Sequence, residues 1–192
     1  MDRVDQATLE RAQMGDVDAF AAIVGAYQDQ LFTMSCRLLS DAAEAEDAVQ
    51  ETFLRVYTHL PRYDGRFKFT TWLYRIATNV CIDRLRKRRP ESSLDWEFED
   101  GEEQPHALRE RLADAGLTPE QELLRAEVCG EVQRALADLP PTYRTALVLR
   151  YIQELSLQEI GDVLHVPVTT VKTRIHRGRE YMKQMLAAAP VM

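Results

Sequence analysis

Apolar residues recur every three or four positions along most of this chain, with polar residues between them, which is the period of amphipathic helices rather than strands. Leu9 and Ala12 mark a short first helix that ends near Gly15. Asp16 can cap a second, in which Phe20, Val24, Tyr27, Leu31, Met34 and Leu38 share one face. After Ser40-Asp41 a third helix turns Ala45, Val49, Thr52/Phe53, Val56 and Leu60 inward until Pro61 stops it. A fourth, capped by Thr70 or Thr71, buries Leu73, Ile76/Ala77 and Val80, and should stop at Pro90. From Glu91 to about Leu117 the periodicity collapses. Thr118 and Gln121 then form a capping box with Pro119 at the first helical position, opening a helix with Leu124, Val128, Val132, Leu136 and Leu139 in register. Pro140-Pro141 breaks that helix and starts the next, where Tyr143, Leu147 and Ile152 pack. The pattern predicts an all-α chain of two small helical domains, 1–90 and 118–188, joined by a flexible linker at 91–117.

Residues 155–183 carry the most informative pattern. Ser156 and Glu159 make an S-x-x-E capping box for a short helix with Leu157, Ile160 and Val163/Leu164 as its apolar stripe. Val166-Pro167 forces a turn, and a second helix follows with Thr169 or Thr170 as its cap. Val171, Ile175, Gly178, Met182 and Leu186 lie on one side of it. Lys172, Thr173, His176 and Arg177 occupy the other, with Arg174 and Arg179 on the flanks. This is the order a helix-turn-helix needs, and such a cationic face suits the major groove of DNA. Gly178 inside a helix costs about 1 kcal/mol relative to Ala, which close helix packing would explain.

The formal charge of -7 argues at first against a nucleic-acid partner, but its distribution reverses that conclusion. Residues 1–90 hold 13 Lys/Arg and 13 Asp/Glu, residues 119–192 hold 9 and 9, and residues 91–118 hold 2 and 9. The excess acid sits in the linker. Each flank contains a local basic cluster, 84–89 in the first and 172–179 in the second, as expected of two binding modules on an acidic tether. Some 27 extended residues reach on the order of 90 Å and a flexible coil of that length about 30 Å, so the modules can sit near or far apart. Trp96 and Phe98 are unusual residues for a spacer, and a docking contact is one reading of them.

Cys36, Cys81 and Cys129 are widely separated, and His59, His106, His165 and His176 have no metal-ligand spacing, so free thiols and no metal or other cofactor are expected. No apolar run approaches a membrane span and no signal-peptide pattern is present, so a cytoplasmic protein without direct membrane insertion is expected. The segment 62–69 mixes three aromatics with three cations, a composition suited to stacking unpaired bases and holding their backbone. Phe67 and Phe69 can equally serve to anchor the loop to the core. The outer side of the third helix presents Asp47, Gln50, Glu51 and Leu54, by itself a solvated face. An enzyme is disfavoured, because no nucleophile-base pair or Gly-rich phosphate loop occurs. A stand-alone helix-turn-helix regulator is the competing class, and the acidic tether argues against it. A response regulator would need an α/β receiver, and the first half has no strand pattern.

The segments 15–20, 45–57, 69–87, 139–164 and 171–180, in this order, resemble the extracytoplasmic-function (ECF) sigma factors of the sigma-70 superfamily, most of all the SigW-type members. The resemblance implies a non-catalytic specificity subunit that directs core RNA polymerase to promoters, in a stress or envelope response. It implies that the first domain is sigma region 2, with Asp47, Gln50, Glu51 and Leu54 docking on the clamp helices of the polymerase largest subunit. Arg62, Tyr63, Phe67, Lys68 and Phe69, with Trp72 and Asn79, would capture a flipped base of the melted promoter -10 element. Arg86 and Lys87, within the basic run 84–89, would hold phosphates. The last domain would be region 4, near the polymerase beta-flap, with Thr170, Lys172, Thr173, His176 and Arg177 reading duplex -35 DNA and Arg174 and Arg179 on phosphates. Thr169 stands where many relatives have Gly. The resemblance also implies an anti-sigma partner that holds the chain inactive, in some cases at a membrane.

Overall fold

The computed structural model of the protein describes residues 4–88 and 132–188, and every regular element in them is helical. Short polar residues start the first three helices, Asp16 as the sequence predicts and Asp41 at the predicted boundary. Asp5 accepts the amide of Thr8 at 2.7 Å to begin α1 (Gln6–Gln13), and Asp16 accepts those of Asp18 and Ala19 at 3.0 Å to begin α2 (Val17–Leu39). Asp41 does the same through Glu44 for α3 (Ala42–His59). Each bond satisfies amides that the first turn of a helix leaves without partners. Pro61 then permits only a 3-10 turn, Leu60–Arg62.

One boundary in this half differs from the sequence expectation. The fourth helix, α4 (Phe69–Arg88), begins before both threonines, with Lys68 accepting the amide of Trp72. Thr70 and Thr71 therefore lie in its first turn and are not its cap. The reason is tertiary: the Phe69 side chain is buried beside Tyr27, Tyr63 and Trp72, which fixes where the helix begins. In α2, Ile23 is fully buried while Val24 and Phe20 are only partly so. The core of this half is completed by Tyr27, Leu31, Met34 and Leu38 of α2, Ala45, Ala48, Phe53 and Val56 of α3, and Leu73, Ala77 and Val80 of α4.

In the second half, the chain is helical over 132–138 (α5), then runs through α6 (Pro141–Leu147) into a π-helical turn, Val148–Ile152. The acidic linker 91–117 and the capping box at Thr118 lie outside the described residues. Leu147 packs as expected, but Ile152 is 42% exposed. The π turn explains this, since its wider repeat rotates the positions after it away from the face that α6 buries. Next come α7 (Leu157–Leu164) and α8 (Val168–Ala188), the two helices of the helix-turn-helix. The capping box is reciprocal: Ser156 Oγ accepts the Glu159 amide and Glu159 Oε2 accepts the Ser156 amide. His165, left-handed at φ 56°, ends α7 one residue before Val166. Pro167 accepts the amide of Val171, so Thr169 and Thr170 stand inside the first turn of α8 and neither caps it.

Gly178 has the reason proposed for it. A Cβ there would lie 3.1 Å from Leu147 Cγ and 3.3 Å from Tyr143 Cβ, so α8 reaches α6 only because that atom is missing.

The two described halves are found together. Arg144, buried, donates from Nη1 to the Leu38 carbonyl at 2.6 Å and from Nη2 to the Leu139 and Ala137 carbonyls. One planar guanidinium thus joins the end of α2 to the α5–α6 junction. α7 packs on α4, Gln153 donates to the Gln30 carbonyl, and Lys68 pairs with Glu159 at 2.9 Å. Among the described residues, no helix is long and apolar enough to cross a membrane.

Candidate nucleic-acid interface

The loop between Arg62 and Phe69 is held from inside and from outside. Tyr63 donates its hydroxyl to the Phe67 carbonyl at 2.6 Å, and its ring lies 5.1 Å from that of Trp72 and 5.8 Å from that of Phe69. Gly65, at φ 70°, makes the turn that brings Phe67 back to Tyr63, a conformation costly for any side chain with a Cβ. From α1, Gln13 Nε2 donates to the carbonyls of Tyr63 (2.9 Å) and Leu60 (3.3 Å). These bonds sort the aromatics into two roles. Phe69 is anchor, while Phe67 remains 39% exposed at the rim, with Arg62 and Lys68 exposed beside it. A cleft of about 470 Å³ opens between this loop and α1, walled by Val4, Gln6 and Leu9 opposite Tyr63, Phe67 and Phe69.

Along α4, Asn79, Arg86 and Lys87 are exposed and Trp72 is half-buried under the loop. The basic run does not act as one phosphate-holding strip. Arg84 donates to Glu51 at 3.0 Å and lies 3.8 Å from Asp47, and Arg88 donates to Glu44 at 2.8 Å and to the Leu39 carbonyl. Both are turned toward α3 and clamp the two helices together. Arg89 lies outside the described residues.

The acidic face of α3 divides in the same way. Asp47, Gln50 and Leu54 are exposed, whereas Glu51 is half-buried between Arg55 (2.5 Å) and Arg84. Burial would raise the Glu51 carboxyl, but hydrogen bonds from Arg84 and Arg55 outweigh it and hold the group below its ordinary value. A charge so compensated is less available to a partner than its neighbours on the same face.

On α8, Lys172 is exposed, and Thr170, Thr173, His176, Arg177 and Arg179 are half-buried. Thr173 already donates its hydroxyl to the Thr169 carbonyl. Arg174 turns inward: burial lowers its guanidinium from the ordinary arginine range, opposed by the neighbouring Tyr143, whose ring stacks on Tyr181. The outward cationic positions are therefore fewer than the helical pattern alone implies.

The contacts missed at the sequence level are Gln13 to the loop, Lys68 to Glu159 and Arg144 to Leu38, each joining residues 47 or more positions apart. The capping box marks Glu159, but nothing in it points to Lys68. Among the described residues, no group of three His, Cys, Asp or Glu could hold a metal ion, and burial pushes the Cys81 thiol up to about 11. The surfaces assembled here offer stacking planes, cations and amides, the chemistry of binding.

Comparison with known proteins agrees with this architecture. Residues 23–91 match the family Sigma-70 region 2, and residues 129–182 match Sigma-70, region 4. The chain is 45% identical to the ECF RNA polymerase sigma factor SigW of Bacillus subtilis (strain 168), over 97% of this chain and 98% of that protein. Its fold resembles that of CnrH in complex with the cytosolic domain of CnrY, at a TM-score of 0.70 and 24% identity over 97% of this chain and 99% of that one. It also resembles the sigma factor RpoE of Bartonella quintana in complex with the anti-sigma factor NepR, at a TM-score of 0.62 and 21% identity over 89% and 98%.

Proposed function

The chain belongs to the ECF sigma factors of the sigma-70 family, non-catalytic specificity subunits of RNA polymerase, and from that premise we propose how its surfaces divide the work of promoter recognition. Loop 62–69 receives an unpaired base of the -10 element, with Phe67 as the exposed stacking plane and Arg62 and Lys68 as cations for the flanking backbone. Tyr63, Phe69 and Trp72 hold that loop in shape. Asn79 and the exposed pair Arg86 and Lys87 follow the DNA along α4. Asp47, Gln50 and Leu54 form the contact with the polymerase clamp helices, while Glu51 braces α3 against α4 through its two arginines. Lys172, His176 and Arg177 of α8, with Thr170 and Thr173, read the duplex of the -35 element, and Arg179 holds a phosphate. Arg174 acts from inside, steadying α8 on α6. Region 4 would dock near the beta-flap, and an anti-sigma protein that binds the closed form is the regulator this reading expects.

One observation carries the proposal: a pinned loop with an exposed aromatic and two cations shares a fold with a helix-turn-helix that exposes Lys172. Two DNA-binding chemistries, for unpaired bases and for duplex, are what promoter opening requires. The test is transcription by core RNA polymerase on a pool of randomised promoters, with and without this protein, with transcript starts sequenced. Starts that depend on the protein and share two upstream elements are the expected outcome. No protein-dependent starts, together with site-selective DNA binding by the chain alone, would replace the proposal with a stand-alone regulator.

A further inference from the structure

Lys68, Trp72, Arg75, Asn79 and Arg86 follow one another by four, three, four and seven positions. At roughly 100° per residue they fall within about 60° of arc, a single line from the loop to the last turn of α4. α7 packs on α4, and two of its residues show where. Glu159, in its first turn, pairs with Lys68 at 2.9 Å, and His165, its C-cap, senses the charge of Arg75. Lys68 to Arg75 spans about 10 Å of helix and Glu159 to His165 about 9 Å, so α7 lies along the first two turns of this line.

The two contacts differ in kind. Lys68 meets a carboxylate, whereas Arg75 is half-buried and, among the described residues, forms no hydrogen bond or ion pair. Further along the same helix, Arg84 pairs with Glu51 and Arg88 with Glu44. Burial, and then the Arg75 charge, hold the His165 imidazole below its ordinary value, with Asp162 opposing. A cation partly withdrawn from water without a counter-charge is disfavoured, so α7 leaves Arg75 worse placed than an anion would. Phosphate is such an anion, and a guanidinium binds it through two parallel N–H bonds.

We propose that Arg75 is a phosphate-binding residue of the DNA surface on α4, and that in the closed form α7 occupies the same line, with Glu159 on Lys68 in the place of a phosphate, so that a DNA strand and α7 exclude one another there. This rests on the reading of α4 as the helix that DNA follows. Strand binding then frees the helix-turn-helix, and departure of α7 uncovers Lys68 and Arg75 together.

The experiment uses the full chain and a short single-stranded DNA of mixed sequence. Affinity is measured across a salt series, and compactness by neutron scattering at the contrast match of DNA, where the protein alone is seen. Saturating DNA is expected to raise the radius of gyration of the wild type. Glu159→Gln keeps a side chain that completes the capping box but removes the ion pair, and should tighten binding by up to about fivefold. Arg75→Gln should weaken binding and reduce the slope of log affinity against log salt by about 0.7, the share of one phosphate on a single strand. It should also leave the free chain as compact and as heat-stable as the wild type, which loss of a brace between α4 and α7 would not. Phe67→Ala is run in parallel and should weaken binding with the salt slope unchanged. Saturation without a rise in radius of gyration overturns the exclusion, and an unchanged salt slope in Arg75→Gln overturns its phosphate contact. In either case weaker binding by Phe67→Ala leaves the loop reading standing. If Phe67→Ala binds as the wild type does while Arg75→Gln loses slope, the loop reading falls and the α4 contact stands. Absence of binding by both the wild type and Glu159→Gln at low salt overturns the proposal.

Discussion

Gly161 has no room for a side chain, although nothing in the apolar pattern around it says so. A Cβ at this position would lie 2.9 Å from the Val166 carbonyl oxygen, a backbone atom inside the helix-turn-helix turn. Gly161→Ala must move that turn, and the gain in helix propensity of about 1 kcal/mol does not offset a clash with main chain. A net destabilisation of roughly 1–3 kcal/mol is expected in denaturant unfolding. At Gly178 the neighbours are side-chain atoms of Leu147 and Tyr143 at 3.1 and 3.3 Å, so Gly178→Ala should cost less than Gly161→Ala. A smaller effect at Gly161 would mean the turn is softer than its geometry indicates. Gly178 is legible in the sequence, since a glycine within a periodic helix asks for a packing reason. Gly161 lies in a helix of only eight residues, where the same signal is weak.

The first three helices owe their boundaries to capping residues and apolar stripes, both local features that a sequence displays openly. The side chain that ties one element to another is less visible. Gln13 reads as an ordinary surface residue at the end of α1, yet it donates to two carbonyls beyond α3. Those carbonyls bracket the 3-10 turn at Pro61: Leu60 opens it and also accepts the Tyr63 amide, while Tyr63 lies just beyond it, where the regular helical bonding has stopped. Gln13→Ala is expected to speed amide exchange across residues 63–68 by roughly tenfold, the equivalent of one to two hydrogen bonds, while α2–α4 keep their protection. Hydrogen exchange measured by mass spectrometry would check this, and unchanged exchange in the loop would show that Tyr63 and Gly65 hold it without α1. Arg84 and Arg88 carry the same lesson in the opposite direction. As a run of cations they suggest phosphate, and only the placement of α3 beside α4 gives them Glu51, Asp47 and Glu44 as partners.

The described halves pack together, with Lys68 of loop 62–69 paired to Glu159 of the helix-turn-helix. Lys68 is 67% exposed, so the pair contributes at most about 1 kcal/mol, or a fivefold bias toward the closed form. Lys68→Glu should shift the population toward open chains by a comparable factor, seen as a larger radius of gyration in solution scattering. The double variant Lys68→Glu/Glu159→Lys should restore the wild-type value. Hydrogen bonds from Lys68 and Ser156 hold the Glu159 carboxyl at about 2, well under its ordinary 4.5. A carboxyl lowered by folding contributes fully above its unfolded value, and the contribution is lost as pH falls from about 4.5 through about 2. Compactness should thus persist unchanged from neutral pH to about 4.5 and weaken below it, and Glu159→Gln should remove that acid-dependent step. Identical acid profiles for the wild type and Glu159→Gln would exclude this pair as a closing contact.

By itself the sequence determined the all-α class, the helix-turn-helix with its capping box, and the membership of an aromatic-cationic loop and a basic helix in one chain. These depend on spacing within a few residues, and the physics that reads them, amide satisfaction and burial of one helical face, acts over the same range. The tertiary structure alone decided which of those residues remain exposed. It turned Phe69, Arg84, Arg88, Glu51 and Arg174 inward or onto neighbouring helices, left Phe67, Lys172, Arg86 and Lys87 exposed, and brought α1 to the loop. Helical periodicity separates an inner face from an outer one, but a flanking side chain becomes anchor, brace or contact according to what lies across from it, and that is set by helices dozens of residues away.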